Sequence, residues 1–583
     1  MLLNLPASLV SYLLLTIASV RAADYHWPSL QYDALEDFLY EGQRPDGSNM
    51  AQLVTPCKLR GGVNTTVAAE WVRLVYHDIA SHNVADGTGG LDGSIFFETD
   101  RVENNGPGMN NTLSDFSGFP SKYITRADII AIATVWAVAT CGGPVIPVQG
   151  GRIDANSAGP YGVPNATDTQ QSIVDTFTHQ GFSTQEMIQL VACGHTLGGV
   201  RYPDFPDIVP AGSNPSATVV DSFDDTHTFD HNIVSAYLDG TTVDPLIVNN
   251  ASSASDLLVF SIDGNATMQS MNTAESFAST CSTVFTKMLN TVPSGVQLTD
   301  TIDLLPVKVS TSSVQLTIGS NSQLQFQAAV RLQVPGSNTK VQMYWCDRYG
   351  SDANCASGLK RFASSGSSST VSSPVSEAMN ATLKKYQFVV PIDPSQSISE
   401  FWFVVDYGNG TTLVADNGGT NYVVDQDQVL WVPSMSQAKS VLTGADAVFV
   451  TAAVKNTNTP SRVYMDCFGR ATTNYIAANA TYDLQLNTSI PSVAGYNFYT
   501  GVATFDFGAT MSFDLHSVAE NGTSYADMYR QEGLIGVSLA PASTVNTTKS
   551  SSVGGDSGAG ILAPRWGVGV GLGILAVLGL SYS

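Results

Sequence analysis

At Val307 the periodicity of the chain changes, and that break constrains the fold more than any other feature. Before it, apolar residues recur at helical spacing. After it come alternating stretches such as SVQLTI, LQFQAAVRLQV, KVQMYW, YQFVV, EFWFVV and QVLWV, separated by Gly, Asn, Asp and Ser turns. At 583 residues the chain exceeds what one core serves, so about three domains are expected, helical first and β after. The β part repeats itself. Val341-Gln-Met-Tyr-Trp-Cys-Asp resembles Val463-Tyr-Met-Asp-Cys, and each is followed by an aromatic strand, an Asn-Gly-Thr turn at Asn409 or Asn521, and a final strand near Leu430 or Ile535.

The chemistry lies in two stretches of the helical part. The first is RLVYHD, Arg73 to Asp78. Arg73 and His77 are four apart, so on a helix they share one face. An imidazole that moves a proton beside a guanidinium that steadies developing charge makes a site for splitting a polar bond. The second is EMIQLVACGHTLGG, Glu186 to Gly199, which places His195 near a helix end among small residues, as an axial metal ligand requires. Each piece alone is a common structural feature; the joint pattern is more specific.

Together the segments resemble the secreted fungal haem peroxidases, class II of the plant-type superfamily, from about Asp24 to Pro306. GGLDGSI (Gly89 to Ile95), ADIIAIA with GGP and GGR (Ala127 to Arg152) and FSID (Phe260 to Asp263) follow in the family's order. The resemblance implies haem b and two Ca2+. It makes His77 the general base and then acid toward hydrogen peroxide, with Arg73 polarising the O–O bond. Asn104 would orient His77, supported by Glu98. His195 becomes the iron ligand, with Asp263 receiving its other ring N–H and Phe223 beside it. A Trp at that place would mark the ascorbate and cytochrome c types. Tyr76, where the family has Phe, is either an inert wall or a hydroxyl that tunes the site.

Calcium 1 would use Asp78, Gly90, Asp92 and Ser94. Calcium 2 would use Thr196, Asp224, Thr226, Thr228 and Asp230, in a loop one residue shorter than the family's. Cys57 and Cys141 match a family disulfide. Cys193 is expected to be a buried free thiol, Cys346 and Cys355 are close enough for a local disulfide, and Cys281 and Cys467 have no assigned partner. Of the three acidic positions of Mn(II)-oxidising members only Glu70 is present, since Thr66 and Arg201 occupy the others. Leu190 stands where lignin-attacking members have a surface Trp. The expected reaction is therefore one-electron oxidation of small organic, phenolic-type donors through a ferryl intermediate.

The ends bear on location. Residues 1–22 read as a signal peptide, and eleven sequons (Asn64, Asn110, Asn165, Asn250, Asn265, Asn380, Asn409, Asn479, Asn487, Asn521 and Asn546) agree with secretion. A Ser/Gly-rich spacer and the apolar run from Trp566 to Leu580 resemble a GPI-attachment signal; the run is short for a spanning helix. Acids outnumber bases 50 to 26, which argues against nucleic acid or anionic membrane as partners and leaves the lipid anchor as the membrane link.

The expected architecture is a mainly α haem-peroxidase domain (23–306) and two tandem all-β sandwich-like domains (307–431 and 432–542). A linker (543–560) and the hydrophobic tail (561–583) follow. The β modules read as a spacer or as a module binding cell-wall polysaccharide through Trp345, Trp402 or Trp431. The alternative for the whole chain is a cell-surface adhesion or wall-structure protein that keeps the peroxidase domain as scaffold.

Overall fold

The computed structural model describes residues 25–549 apart from 63, 215–217, 250, 320–321, 335, 337, 442–444, 458, 470–477, 507–510, 532, 534 and 536–544. The expected signal peptide, the hydrophobic tail and the sequon residue Asn250 lie outside the described residues. Among those described, no helix is long and apolar enough to cross a membrane.

The helical half runs α1 (Asp33–Glu41), α2 (Val67–Ile79), α3 (Pro107–Phe116), α4 (Arg126–Thr140), α5 (Gln170–His179), α6 (Thr184–His195), α7 (Asn232–Asp239), α8 (Pro245–Val248), α9 (Ser255–Phe260), α10 (Ala266–Ser270) and α11 (Ala274–Leu289). A two-stranded ribbon, β1 (Gly199–Tyr202) and β2 (Val219–Ser222), follows α6. At its centre is α4, apolar all round and buried along nearly its whole length, as expected of a helix enclosed by others. Thr125 caps it by accepting from Asp128 N.

The β half opens with β3 (Val307–Thr317), β4 (Gln323–Gln333), β5 (Lys340–Cys346), β6 (Leu359–Ser364) and β7 (Ser367–Val371). Helix α12 (Pro374–Ala378) precedes β8 (Leu383–Ile392), β9 (Glu400–Asp406), β10 (Thr412–Ala415) and β11 (Tyr422–Val423). Then come β12 (Val429–Trp431), β13 (Gln437–Val441), β14 (Ala445–Lys455), β15 (Pro460–Gly469) and β16 (Ala478–Asp483). The last are β17 (Gln485–Leu486), β18 (Tyr496–Asp506), β19 (Met511–Ala519), β20 (Ser524–Gln531) and β21 (Asn546–Lys549).

These strands make four antiparallel sheets. The sheet β3-β4-β8-β7 shares a core with β10-β9-β5-β6, where Phe326 meets Phe401 and Phe388 meets Phe403. The pattern recurs later in the chain. Sheet β12-β14-β18-β17 carries β13 on β14, and its companion is β16-β15-β19-β20. The two similar segments, at Val341 and Val463, occupy β5 and β15, equivalent inner strands, and both Asn-Gly-Thr turns join the strands that follow. Two boundaries differ from expectation. Val429–Trp431 pairs with β14 instead of closing the first pair of sheets. Asn546–Lys549, expected to be linker, returns to pair with β6. Trp345 and Trp431 are core residues, while Trp402 stacks with Tyr344 on the other face of its sheet.

The β half is docked on the helical half, so it is no free tether. In register across β3, β4 and β8 stand Lys308, Arg331 and Lys385, three cations directly opposite one another. Such a row repels itself in isolation. It is matched by α1, whose Asp33, Glu36, Asp37 and Glu41 share one helical face. Lys308 binds Asp33 at 2.6 Å, Lys385 binds Glu41 at 2.8 Å, and Arg331 grips both oxygens of Glu36. Burial pushes the Asp37 carboxyl up, toward its neutral form. The acidic side of α1 is thus covered by the sheet. Gly42 ends the helix in the left-handed region (φ 75°), and a Cβ there would meet Ser372 O of the β half at 2.9 Å.

Further contacts among the described residues join the halves. Trp27 exchanges hydrogen bonds with Asn417, both 2.9 Å, and sets its ring edge-on to Phe401 and Tyr422. Lys122 and Tyr123 reach Asp514 at 2.6 and 2.8 Å.

Disulfides Cys57–Cys141 and Cys346–Cys355 agree with expectation. Cys193 does not: it pairs with Cys281, joining α6 to α11. The remaining thiol is Cys467, inside the second β core, where burial raises it to about 12. Titration of the unreduced protein with a thiol reagent should give no reaction when native and one thiol per chain when unfolded. Three thiols would restore a free Cys193 and Cys281.

Candidate active site

Helix α2 starts at Thr66, whose hydroxyl accepts from Ala69 N at 3.1 Å. Its buried face is pinned by Trp71, wholly buried, whose indole donates to Asp115 at 2.9 Å. That fixes the helix rotation and sends Arg73 and His77 together into a cavity of about 880 Å³.

His77 Nδ1 meets Asn104 Oδ1 at 2.7 Å, and Asn104 Nδ2 donates to the Glu98 carbonyl at 2.9 Å. The second bond fixes which end of the amide faces the imidazole. Asn104 therefore accepts, His77 carries its proton on Nδ1, and Nε2 is bare toward the cavity. Glu98 gives this support through its backbone; its carboxylate is held by Gly159 N at 2.7 Å and Arg101 at 3.2 Å. Burial and the neighbouring Arg73 hold His77 well below the usual imidazole range, against the opposing Asn104 bond. Arg73, lowered by burial to about 10, keeps its charge at neutral pH and donates to Asn105 O at 3.1 Å. Tyr76 is a wall: it stacks on Phe177, and its hydroxyl points to Gln180 at 3.5 Å.

On the opposite wall α6 begins with a Ser183–Glu186 capping box and ends at His195. Gly199 follows at a place where a Cβ would lie 2.2 Å from Asp221 O, so only glycine lets β1 close on β2 here. His195 Nδ1 lies 2.5 Å from Asp256 Oδ2, and Phe223 stacks on the imidazole at 4.1 Å with an interplanar angle of 4°. This corrects the expectation for Asp263, which accepts from Thr267 N and Oγ1 at 2.9 and 2.6 Å in the first turn of α10. The two aspartates are seven apart, two turns of a continuous helix, so spacing does not separate them. The chain leaves helix at Phe260, so Phe260 to Asp263 is a helix end and turn rather than strand-like, and only Asp256 stays on the face toward α6. Asp256→Asn should perturb the His195 environment strongly and Asp263→Asn hardly at all, read from the haem-bound spectrum; equal effects would reverse the assignment.

The residues fit a haem. Two imidazoles, one from α2 and one from α6, line the cavity, each with Nδ1 engaged, and the volume is that of a large-ligand site.

The residues expected at the two calcium sites fall into two groups, each with two carboxylates and neutral oxygens. Asp78 is wholly buried, accepts from the backbone of Asp92, Gly93 and Ile95, and is raised well above the carboxylate range by burial and Asp92. Gly90 (φ 115°) sits tightly against Thr291, and the Ser94 hydroxyl is buried beside Asp92 and Glu98. In the second cluster Thr196 Oγ1 donates to Asp230 O, Thr226 to Asp224, and Thr228 to Asp230. Asp224 Oδ2 is buried without a partner, and its carboxyl is raised to about 6 by burial. That unpartnered buried carboxylate oxygen fits a hard cation. Among the described residues no group of three or more His, Cys, Asp or Glu is placed to hold a metal.

The Mn(II) positions are taken by structural contacts. Glu70 is paired with Arg60 at 2.6 Å, Arg201 with Asp204 at 2.9 Å, and Thr66 is the α2 cap. Leu190 is buried, lining the cavity.

Residues 50–273 match the family model described as peroxidase. The chain carries a peroxidase-family domain. A WSC domain-containing protein of Arthroderma benhamiae is 35% identical over 425 residues, 71% of this chain and 56% of that protein. That match is longer than the helical half, so it runs into the β sheets. L-ascorbate peroxidase 3 of Arabidopsis thaliana is 34% identical over 138 residues, 23% of this chain and 48% of the relative. Mitochondrial cytochrome c peroxidase of Yarrowia lipolytica is 27% identical over 173 residues, 29% and 46%. The chain spans about half the length of these curated relatives.

Proposed function

We propose that this protein is an extracellular haem peroxidase that reduces hydrogen peroxide and oxidises small organic donors. The observation that carries the reading is the pair of imidazoles facing one cavity, one beside a buried guanidinium and the other hydrogen-bonded to a buried carboxylate. His195 would hold the iron through Nε2, and the haem supplies the redox chemistry. The rest belongs to the chain. His77 Nε2 takes the proton of the peroxide and returns it to the departing oxygen, which leaves as water. Arg73 stabilises the charge that develops as the O–O bond breaks. Asn104 keeps His77 in the competent tautomer, and Asp256 gives His195 anionic character.

The structure around Glu70 and Arg201 leaves Mn(II) without its site, and buried Leu190 leaves a lignin-type surface donor without one. Donors small enough to enter the cavity fit best. Phe223 on His195 keeps the class II reading ahead of the ascorbate and cytochrome c types, whose named relatives share the domain. Three disulfides support an oxidising compartment, with secretion and a lipid anchor as the proposed route and attachment. Calcium at the two oxygen clusters would brace α2 and the loop after α6. The β half is read as two tandem sandwich modules that hold the peroxidase domain at the surface, with cell-wall polysaccharide as a candidate contact.

Stopped-flow absorption of the haem-loaded protein tests the reading. A rapid Soret change on mixing with hydrogen peroxide, reversed by a phenol, is expected. Haem binding with no such change would favour the surface-scaffold alternative. The pH profile is a second check. His77 must be neutral to act, and its range is depressed, so the rate should be flat through neutral pH and fall only as the medium becomes acid enough to protonate it. A fall centred at the usual imidazole range would contradict the buried, Arg73-facing geometry.

A further inference from the structure

The fold sets the sequon Asn165-Ala166-Thr167 at the cavity that holds His77 and His195, and all three of its residues help to line it. Residues that line a cavity and are also exposed mark where it opens to solvent, and Val102, Asn165 and Thr167 are among these. The rim there is fixed. The Glu103 carboxylate accepts from Gly162 N at 3.2 Å and Val163 N at 3.1 Å, tying the stretch after Val102 to the stretch before Asn165. Asp168 then closes a turn on the asparagine. Its N–H donates to Asn165 O at 3.0 Å, and its carboxylate accepts from Asn165 N at 2.9 Å. Both backbone groups of Asn165 are engaged, whereas its side-chain amide has no hydrogen bond among the described residues. A sequon asparagine is modified on Nδ2, and the bulky, hydrated sugar that results needs open solvent beside it. Asn165 offers a free amide and an exposed position.

We propose that Asn165 carries an N-linked glycan that narrows the cavity mouth, admitting peroxide and small donors and turning away polymeric ones. The proposal rests on the reading of the chain as a secreted haem peroxidase. In the secretory route an oligosaccharide passes from a lipid diphosphate carrier to Nδ2. The anomeric C–N bond forms, the C–O bond to the diphosphate breaks, and one amide proton is lost to solvent. The fixed turn keeps the attachment point at the opening, so the branched chain rooted there sweeps the approach to the cavity. Selection is by size and needs no bonded contact with the donor.

Two measurements test this. The first needs no haem. The full chain, secreted from a eukaryotic host, is deglycosylated enzymatically in heavy-oxygen water, which leaves a mass-labelled aspartate at each occupied asparagine. Peptide mass spectrometry should find the label at Asn165. Label at Asn409 or Asn521, in the exposed turns β9–β10 and β19–β20, but not at Asn165 overturns the proposal and leaves secretion standing. Label at no sequon overturns both. The second fills the haem site with zinc porphyrin and compares quenching of its fluorescence by a viologen, free and linked to a long polyethylene glycol chain. Thr167→Ala removes the sequon and should raise the ratio of linked to free quenching several-fold, while Thr167→Ser keeps it and should match wild type. An unchanged ratio in Thr167→Ala overturns the gate. If that variant is not secreted, trimming the wild type with an endoglycosidase to one sugar per site gives the same comparison. No porphyrin uptake removes the haem reading, and the gate with it.

Discussion

Leucine in place of His77 should slow the reaction with hydrogen peroxide by about 10²- to 10⁴-fold, the range of a positioned general base, and leave haem binding intact. The two effects separate because the residue has one task. His77 contacts Asn104 through Nδ1 and offers only Nε2 to the cavity. Leucine fills similar space among buried neighbours, so the wall stays closed while proton transfer is lost. His195→Ala should do the reverse and abolish haem retention, because the Asp256-held imidazole is the proposed ligand. Soret titration measures retention, and stopped-flow absorption at a fixed haem-loaded fraction measures the peroxide step. A His77→Leu protein that reacts at the wild-type rate would remove the proton-transfer role, and with it the reading of the cavity as a peroxide site.

Arg331→Met should destabilise the whole molecule by about 3–5 kcal/mol, the usual cost of removing one partner of a buried ion pair. Arg331 has no exposed side-chain surface, grips Glu36, and lies 3.8 Å from Glu41 and 4.0 Å from Asp37. Methionine keeps the apolar stem and deletes the charge. The acidic face of α1 would then meet the sheet with Lys308 and Lys385 alone. Because α1 belongs to the helical half and Arg331 to β4, the loss falls on the junction. Denaturant unfolding followed by tryptophan fluorescence should show a lower midpoint, and haem release should begin at lower denaturant than in wild type. An unchanged midpoint would mean that the junction is held by Trp27 and Asp514 and that the cation row is incidental.

Much of the site was legible because its signals are local. The four-residue spacing of Arg73 and His77 and the alternation after Val307 depend on neighbours within a few positions, and the backbone turns such spacing directly into a shared face. The nine-residue separation of Cys346 and Cys355 is local in the same sense. What failed required knowing where one element lies against another. Asp263 and Asp256 fall on one stripe of an uninterrupted helix, and the end of α9 at Phe260 separates them. Cys193 found a partner only because α11 packs on α6.

The tertiary structure also overruled polarity. Glu36, Asp37 and Glu41 are buried, because the register of β3, β4 and β8 aligns three cations that share no spacing in sequence. The sequence by itself determined the helical and strand halves, the paired Arg73 and His77, and His195 at a helix end. Only the tertiary structure decided which carboxylate holds His195, which cysteines join, and that the two halves share a buried ionic seam. Backbone periodicity is set over a few residues, whereas charge complementarity and helix packing are set between segments hundreds of residues apart.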